Sequence, residues 1–170
     1  MDAAPLLTEI ARHLQTLRFD VVLIGNAAAA LQGAPVTTVD FDFMFRKTAV
    51  NMRKLKALAA ALGATVLRPY YPASDLFRVV RDDDGLQLDF MSDIHGVRSF
   101  AGLRARATAV DLRGSTLLVA SLADIIRSKK AARRPRDLAV LDVLERTDDE
   151  KKRATQEARR PPARKRPRAR

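Results

Sequence analysis

The sequence contains no cysteine, so disulfide bonds, thiolate metal ligands and a cysteine nucleophile are all excluded. It contains only two histidines, His13 and His95, and no Ser/His arrangement suited to nucleophilic catalysis accompanies them, so we expect both in surface or loop positions. No apolar run approaches the ~20 residues of a membrane-spanning helix, and the N-terminus lacks a basic stretch followed by an apolar one. These absences predict a cytoplasmic protein that does not enter a membrane.

Neither half of the sequence has the low hydrophobic content that is typical of disorder. Hydrophobic residues make up 47% of the 170 residues, which is enough for one globular core with an appendage. The net charge of +11 is concentrated at the C-terminal end. Residues 151–170 contain ten Lys or Arg and one Glu, a net +9, which leaves +2 for residues 1–150. We expect one domain over residues 1–147 and a basic, disordered tail over residues 148–170, suited to RNA phosphates, to solubility or to a protein partner.

Hydrophobic periodicity predicts alternating helices and strands before the tail. The run VVLI, which ends at Gly25, is typical of a strand buried on both faces, and a short helix follows it from Asn26 to Gly33. Further helices are expected over residues 5–17, 48–63, 122–134 and 135–146, and further strands over 37–45, 64–68, 76–80, 86–90, 107–112 and 115–120. Turn-forming Asp and Gly residues predict two hairpins, one with its turn at residues 82–85 and one at Arg113-Gly114. Ser121 with Asp124 resembles a capping box before the helix that begins at residue 122. The order of elements predicts a mixed α/β (α+β) fold.

Two aspartates interrupt the apolar run TTVDFDFMF, residues 37–45. In a strand, Asp40 and Asp42 share one face and the three phenylalanines share the other, so the rings can enter a core while the carboxylates stay outside it. At ~7 Å separation and an effective dielectric constant of ~20, two such charges repel by roughly 2 kcal/mol. The pattern therefore favours a bound cation.

The segment LQLDF, residues 86–90, has the same alternation of apolar and polar residues. In a strand, Asp89 would lie on the face opposite the apolar side chains of this segment. If the two strands are neighbours, Asp89 joins Asp40 and Asp42, and such a carboxylate set suits Mg²⁺ or Mn²⁺, ions that commonly serve phosphate chemistry. An isolated D-x-D is more often an ordinary solvent-facing pair. Here the strand-to-helix turn at Gly25-Asn26 adds a place for a phosphate, which makes the catalytic interpretation stronger.

These residues resemble the polymerase-beta-like nucleotidyltransferase superfamily, in which a Gly-Gly or Gly-Ser turn precedes T-x-D-x-D and a later acidic residue. The corresponding positions are Gly25-Asn26, the segment 38–42 and Asp89, and Asn26 departs from the usual Gly or Ser. The segment ASLADIIRSKKAARRPRDLAVLDVLE, residues 120–145, is similar to AbiEii/MenT-like bacterial toxin nucleotidyltransferases, where a helix bearing Lys precedes R-x-K-D. The resemblance covers residues 5–146 and leaves out the tail.

The resemblance implies the nucleotidyltransferase fold, a mixed β-sheet flanked by helices with C-terminal helices, together with Mg²⁺ or Mn²⁺ as cofactor and an NTP as co-substrate. It implies that Asp40 and Asp42 hold metal. Asp89 would complete the metal site and accept the proton of the attacking hydroxyl. The implied nucleotide contacts are Gly25, Asn26, Thr38 and one of two lysines, Lys129 or Lys130.

Of the two lysines, Lys129 is slightly favoured because it shares the helical stripe of Ile125 and Ile126, whereas Lys130 points ~100° away. The chosen lysine would neutralise phosphate charge, and Asp137 would orient that lysine or the substrate. Without the resemblance, the basic residues of this segment would be interpreted as a solvated helix face.

The function expected from the resemblance is transfer of NMP from an NTP to a hydroxyl acceptor. The acceptor is expected to be RNA, in particular a tRNA 3′ end, with the chain acting as the toxin of a toxin–antitoxin system beside a cognate antitoxin protein. The alternatives are a non-catalytic antitoxin or nucleic-acid-binding module of the same fold, and a nucleotidyltransferase that modifies a small molecule or a protein.

Overall fold

The structure, a computed structural model, describes residues 3–38, 40–67 and 75–159. This part of the chain contains six helices and seven strands. In chain order they are α1 Ala3–Thr16, β1 Val21–Ile24, α2 Gly25–Ala30, β2 Phe41–Phe45, α3 Ala49–Ala61, β3 Thr65–Leu67, β4 Leu76–Arg81, β5 Leu86–Met91, α4 Phe100–Arg106, β6 Thr108–Leu112, β7 Ser115–Val119, α5 Leu122–Ala132 and α6 Pro135–Ala158.

The strands form one seven-stranded sheet in the order β3-β4-β5-β2-β1-β7-β6. The sheet is mixed, because β1 pairs with β7 and β2 pairs with β5 in parallel, while the other neighbours are antiparallel. The hairpins expected at residues 82–85 and at Arg113-Gly114 both form, as β4–β5 and β6–β7. The mixed α/β class predicted from the sequence is therefore confirmed.

Phenylalanines form the centre of the core on one face of the sheet. Phe43 stacks on Phe90 with ring centroids 5.0 Å apart, and Phe19 stacks on the same Phe90 at 5.7 Å. Phe45 meets Phe90 edge-on at 6.2 Å. Successive residues of a strand point to opposite faces of the sheet. Because Phe43 and Phe90 enter the core, their strand neighbours Asp42 and Asp89 are turned to the opposite face.

The strand that carries the paired aspartates begins later than expected, at Phe41, so Asp40 immediately precedes it. The Thr38 hydroxyl donates to the Asp40 carbonyl oxygen at 2.7 Å and contacts the Asp40 carboxylate at 3.1 Å. Such a local hydrogen bond between side chain and backbone competes with strand pairing, which explains the late start. Val39 lies outside the described residues.

Two helices differ from the sequence-based expectation. Helix α4, which we did not predict, is only seven residues long and is capped by the Ser99 hydroxyl, which accepts from the Gly102 amide at 3.1 Å. Helix α6 continues to Ala158, beyond the end of its apolar periodicity at Thr147, so residues 148–158 of the expected disordered tail are helical. An ion pair between Lys152 and Asp148, one turn apart at 2.6 Å, supports this polar extension.

Residues 160–170, the end of the expected basic tail, lie outside the described residues, and the domain boundary at residue 147 stays a prediction. Among the helices that are described, none combines the length and the apolar character needed to cross a membrane.

Candidate active site

Three carboxylates meet where β1, β2 and β5 lie side by side. Parallel pairing of β2 and β5 puts Asp42 directly beside Asp89, and Asp40 joins them from the residue before β2. One carboxylate oxygen from each of the three lies within 4.8 Å of the others. The juxtaposition expected from the strand phases is therefore present, and an all-oxygen donor set of this kind fits a hard divalent cation such as Mg²⁺ or Mn²⁺.

The surroundings of the Asp42 carboxyl disfavour its charged form. Burial, followed by repulsion from Asp40 and Asp89, raises the pKa of Asp42 to about 7, against the lowering influence of Arg136 and Lys129. The protein's own cations thus do not neutralise the cluster, and a bound divalent cation would fit that deficit.

Asp89, the most buried of the three carboxylates, has a protein partner instead. Arg78 stands opposite Asp89 in the antiparallel β4–β5 pair. Its Nε donates to Asp89 Oδ1 and its terminal NH2 donates to Asp89 Oδ2, both at 2.7 Å. The two parallel bonds form the fork geometry that is specific to arginine and a carboxylate.

Gly25 follows β1 directly and has φ +69°, a left-handed conformation that favours glycine. A Cβ atom built at Gly25 would overlap Oδ2 of Asp42. The backbone can therefore lie this close to the carboxylate only because residue 25 has no side chain. The next residue, Asn26, donates from Nδ2 to the Thr37 carbonyl oxygen at 3.3 Å, while its buried Oδ1 has no hydrogen-bond partner within the described residues. A donor group on a ligand would satisfy that oxygen.

Lys129 and Asp137 form a buried pair that joins α5 to the start of α6. Lys129 Nζ donates to Asp137 Oδ1 at 3.1 Å, and Arg134 Nε donates to Asp137 Oδ2 at 2.6 Å. Burial acts to raise the pKa of Asp137, but the hydrogen bonds from Arg134 and Lys129 outweigh it and hold the pKa below its ordinary value. The expected lysine and its orienting carboxylate are thus in direct contact.

The two candidate lysines lie in different environments. Lys129 is buried, with 9% of its surface exposed, and lines the cavity beside the carboxylates. Lys130 is exposed and its Nζ pairs with Glu145 of α6, outside that cavity. Their ~100° separation on α5, together with the packing of α6, allows only Lys129 to face the carboxylates.

The cavity has a volume of about 640 Å³, within the usual range for small-molecule sites. Its lining includes the three carboxylates together with Gly25, Asn26 and Arg78. The end of α5 and the start of α6 add the positively charged residues Lys129, Arg134 and Arg136, here called the basic wall. Thr38 is not among the lining residues and reaches the site only through its hydrogen bonds to Asp40.

The start of α5, which carries Lys129, is fixed by a buried carboxylate, Asp124. The Ser121 hydroxyl caps the helix by accepting from the Asp124 amide at 3.2 Å, as the sequence predicted, and donates to the Asp124 carboxylate at 2.9 Å. Arg106 of α4 and Arg127 of α5 also donate to this carboxylate, each through a bond of 2.9 Å or shorter. This network holds α5 against α4, so the unpredicted helix helps to position the basic wall.

Comparison with known proteins identifies the architecture. No protein-family model matches the sequence, and no curated protein sequence matches it significantly. Among solved structures, the chain is similar to the solution structure of the antibiotic-resistance factor ANT(2″)-Ia, with TM-score 0.57 and 16% identity over 93% of this chain and 97% of the other.

The chain has a nucleotidyltransferase fold. A crystal structure of ANT(2″)-Ia in complex with adenylyl-2″-tobramycin gives TM-score 0.58 and 15% identity over 94% of this chain and 99% of the other. An antigenic nucleotidyltransferase-like protein from Paracoccidioides brasiliensis gives TM-score 0.55 and 15% identity over 84% of this chain and 75% of the other. Similarities at 15–16% identity show a shared fold and no more. They confirm the nucleotidyltransferase fold expected from the resemblance.

Sequence reasoning missed several residues that line the cavity of this nucleotidyltransferase fold, above all Arg78. The signal was nonetheless present, because the hairpin predicted around residues 82–85 pairs Arg81 with Leu86 and therefore Arg78 with Asp89. An opposite-charge pair at directly facing positions of two strands is a recognised stabilising pattern. His95, expected on a surface loop, is exposed and lies at the edge of the cavity.

Replacing Gly25 by alanine should disturb the carboxylate cluster as well as the backbone. The left-handed conformation costs a non-glycine residue ~1–2 kcal/mol. Gly63 is a matched control, because its φ is +62° and a Cβ there would meet nothing within 4 Å. We expect Gly25→Ala to lower the free energy of unfolding more than Gly63→Ala does, and to weaken Mn²⁺ binding, which Gly63→Ala leaves unchanged. Urea denaturation and Mn²⁺ titration measure the two effects, and equal behaviour of the variants would contradict the overlap with Asp42.

The raised pKa of Asp42 predicts a specific pH dependence of stability. Because the pKa is about 7 in the fold against the ordinary 3.8, the folded protein binds this proton more tightly than the unfolded chain. The resulting stabilisation is complete below about pH 4 and is lost as the pH rises through about 7. In EDTA, Asp42→Asn should therefore melt above the wild type at pH 8 by several degrees, about 2–4 °C for each 1 kcal/mol, with the gap shrinking towards pH 5.

Asp142→Asn is the control for this pH dependence, because Asp142 is exposed and lies one turn from its partner Arg146, away from the cavity. Its melting curve should stay parallel to that of the wild type between pH 5 and pH 8. Thermal unfolding followed by circular dichroism measures all three proteins. A constant difference between Asp42→Asn and the wild type across this range would show that Asp42 titrates normally.

Proposed function

We propose that this chain is a nucleotidyltransferase that moves a nucleoside monophosphate from an NTP to a hydroxyl acceptor. The observation that carries the proposal is the cluster of Asp40, Asp42 and Asp89, whose oxygens lie within 4.8 Å of one another in a cavity that Lys129 also lines. The similarity of the fold to ANT(2″)-Ia supports the same reaction class. In this reaction the acceptor oxygen bonds to the α-phosphorus, the bond from that phosphorus to the bridging oxygen breaks, and pyrophosphate leaves.

The three aspartates would hold the divalent cation, Mg²⁺ or Mn²⁺, which supplies charge for the phosphate oxygens and activates the attacking hydroxyl. Asp89 would accept the proton of that hydroxyl. No nucleophilic side chain is needed, because positioning and charge neutralisation provide most of the rate enhancement in phosphoryl chemistry. This requirement agrees with a site made of carboxylates and basic side chains.

The remaining lining residues fit the binding of a triphosphate. Lys129 would neutralise phosphate charge with the help of Arg134 and Arg136, and Asp137 would orient Lys129 through their 3.1 Å hydrogen bond. Gly25 and Asn26 would contact the nucleotide, with Thr38 supporting Asp40. We leave Lys130 out of the nucleotide site, because its ion pair with Glu145 lies outside the cavity.

The proposal predicts transfer of label from α-³²P-labelled NTPs to an acceptor in the presence of Mg²⁺. Alanine at Asp40, Asp42 or Asp89 should lower the rate roughly 100-fold or more, the scale seen when one preorganised electrostatic contact is removed. Asp82→Ala is the control, because Asp82 lies in the exposed β4–β5 turn and should leave the rate unchanged. The proposal fails if Asp42→Ala transfers at the wild-type rate, or if no RNA, protein or small-molecule acceptor is labelled.

For the acceptor we propose RNA, specifically a tRNA 3′ end, with the chain acting in the cytoplasm as the toxin of a toxin–antitoxin pair beside a cognate antitoxin protein. The support is the resemblance of residues 120–145 to AbiEii/MenT-like toxins and the net +9 of residues 151–170. Basic side chains that neutralise RNA phosphates give affinity that falls as salt rises. A second candidate, a hydroxylated small molecule, is favoured by the similarity to the structure containing adenylyl-2″-tobramycin.

Parallel labelling of deacylated tRNA, tRNA-depleted RNA and an aminoglycoside decides between these acceptors. We expect tRNA to be labelled, and we expect a chain with glutamine in place of every Lys and Arg of residues 160–170 to label it several-fold less and with weaker salt dependence. Both chains should bind the NTP equally, because every described residue that lines the cavity is unchanged. Labelling of the aminoglycoside alone would identify a small-molecule enzyme, and RNA binding without any labelling would identify a non-catalytic module.

A further inference from the structure

Arg78 is the one cavity-lining arginine among the described residues that binds a member of the carboxylate cluster directly. It lies on β4 with 34% of its side chain exposed, whereas only 8% of the Asp89 side chain is exposed. The flanking residues Phe77 and Val79 point into the core, so Arg78 is held on the cavity side of the sheet. The position of its side chain is thus determined by the strand that carries it.

The carboxylate of Asp89 is held in one rotational state by this arrangement. Arg78 donates to both of its oxygens, and no other side chain donates to them in the part of the chain that the structure describes. A two-pronged contact resists rotation of the carboxylate about its own axis, which a single hydrogen bond does not. Among the described residues, Asp42 has no comparable partner and Asp40 has a single contact from the Thr38 hydroxyl, so Asp89 is the carboxylate of the cluster with the most firmly fixed plane.

We propose that Arg78 is a positioning residue, which fixes the plane of the Asp89 carboxylate for cation binding and for acceptance of the acceptor's proton. This inference rests on the proposed function for the second of these roles only. Arg78 also brings one positive charge near all three carboxylates, which partly offsets their repulsion. The cluster can therefore form in the protein before a cation arrives.

The same strand offers a matched comparison at Arg81. Arg81 makes the same kind of fork, with Nε 3.0 Å from Asp84 Oδ1 and NH2 2.7 Å from Asp84 Oδ2, but in the β4–β5 turn away from the cavity. A substitution of Arg81 removes an arginine–carboxylate fork from β4 but leaves the one at Asp89 in place. It therefore separates the general effect of losing such a fork from the specific effect on Asp89. Any general weakening of the β4–β5 hairpin should appear in both variants.

The test is a Mn²⁺ titration of the full chain followed by electron paramagnetic resonance, with nucleotide absent. We expect Arg78→Gln to weaken Mn²⁺ binding by about 10–100-fold, the usual effect of removing a group that orients a metal ligand. Arg78→Lys retains the charge but cannot form the fork, and we expect it to stay at least about tenfold weaker than the wild type. Arg81→Gln should bind Mn²⁺ as the wild type does, whatever its thermal stability.

The inference is overturned if Arg78→Gln binds Mn²⁺ with unchanged affinity, or if Arg78→Lys restores wild-type affinity, since charge alone would then suffice. In the transfer assay, Arg78→Gln should lower kcat with little change in the KM for NTP, because it disturbs orientation and leaves the basic wall intact. If the wild type binds Mn²⁺ but transfers no nucleotide, the proposed function fails while the Mn²⁺ result still decides the role of Arg78.

Discussion

Mutual repulsion among Asp40, Asp42 and Asp89 is the constraint to which the rest of this structure responds. Their oxygens lie within 4.8 Å of one another in a partly buried setting, and the pKa of Asp42 is accordingly raised to about 7. A cluster of this kind is tolerated only when the scaffold holds it rigidly. The stacked phenylalanines supply that rigidity, because they lock two adjacent strands in the phase that leaves the carboxylates no alternative face.

The surrounding basic groups divide into two sets with different tasks. Arg78 binds one carboxylate of the cluster directly, while Lys129 and Arg134 donate hydrogen bonds to Asp137. Lys129 also acts to lower the pKa of Asp42, but burial and the repulsion from Asp40 and Asp89 outweigh this influence. The cavity therefore offers carboxylates to a cation and basic side chains to phosphates, an arrangement suited to a ligand that carries both.

Much of this arrangement could be predicted from the sequence because two-residue periodicity is strict in strands. The alternation in TTVDFDFMF and LQLDF predicted which side chains would share a face, and the glycine after VVLI predicted the turn. Helix α4 escaped prediction because only Phe100 and Leu103 are buried in its seven residues. The length of α6 escaped it because ion pairs such as that between Lys152 and Asp148 sustain a helix without apolar periodicity.

The parallel pairing of β2 with β5 has a consequence for how the protein acquires its site. These two strands are separated in the sequence by α3, β3 and β4, so Asp42 and Asp89 meet only after a long loop has closed. Contacts of large sequence separation carry a high entropic cost and tend to form late in folding. The acidic centre therefore forms only after the loop between β2 and β5 has closed, and a nascent chain that ends before Asp89 lacks one of the three carboxylates.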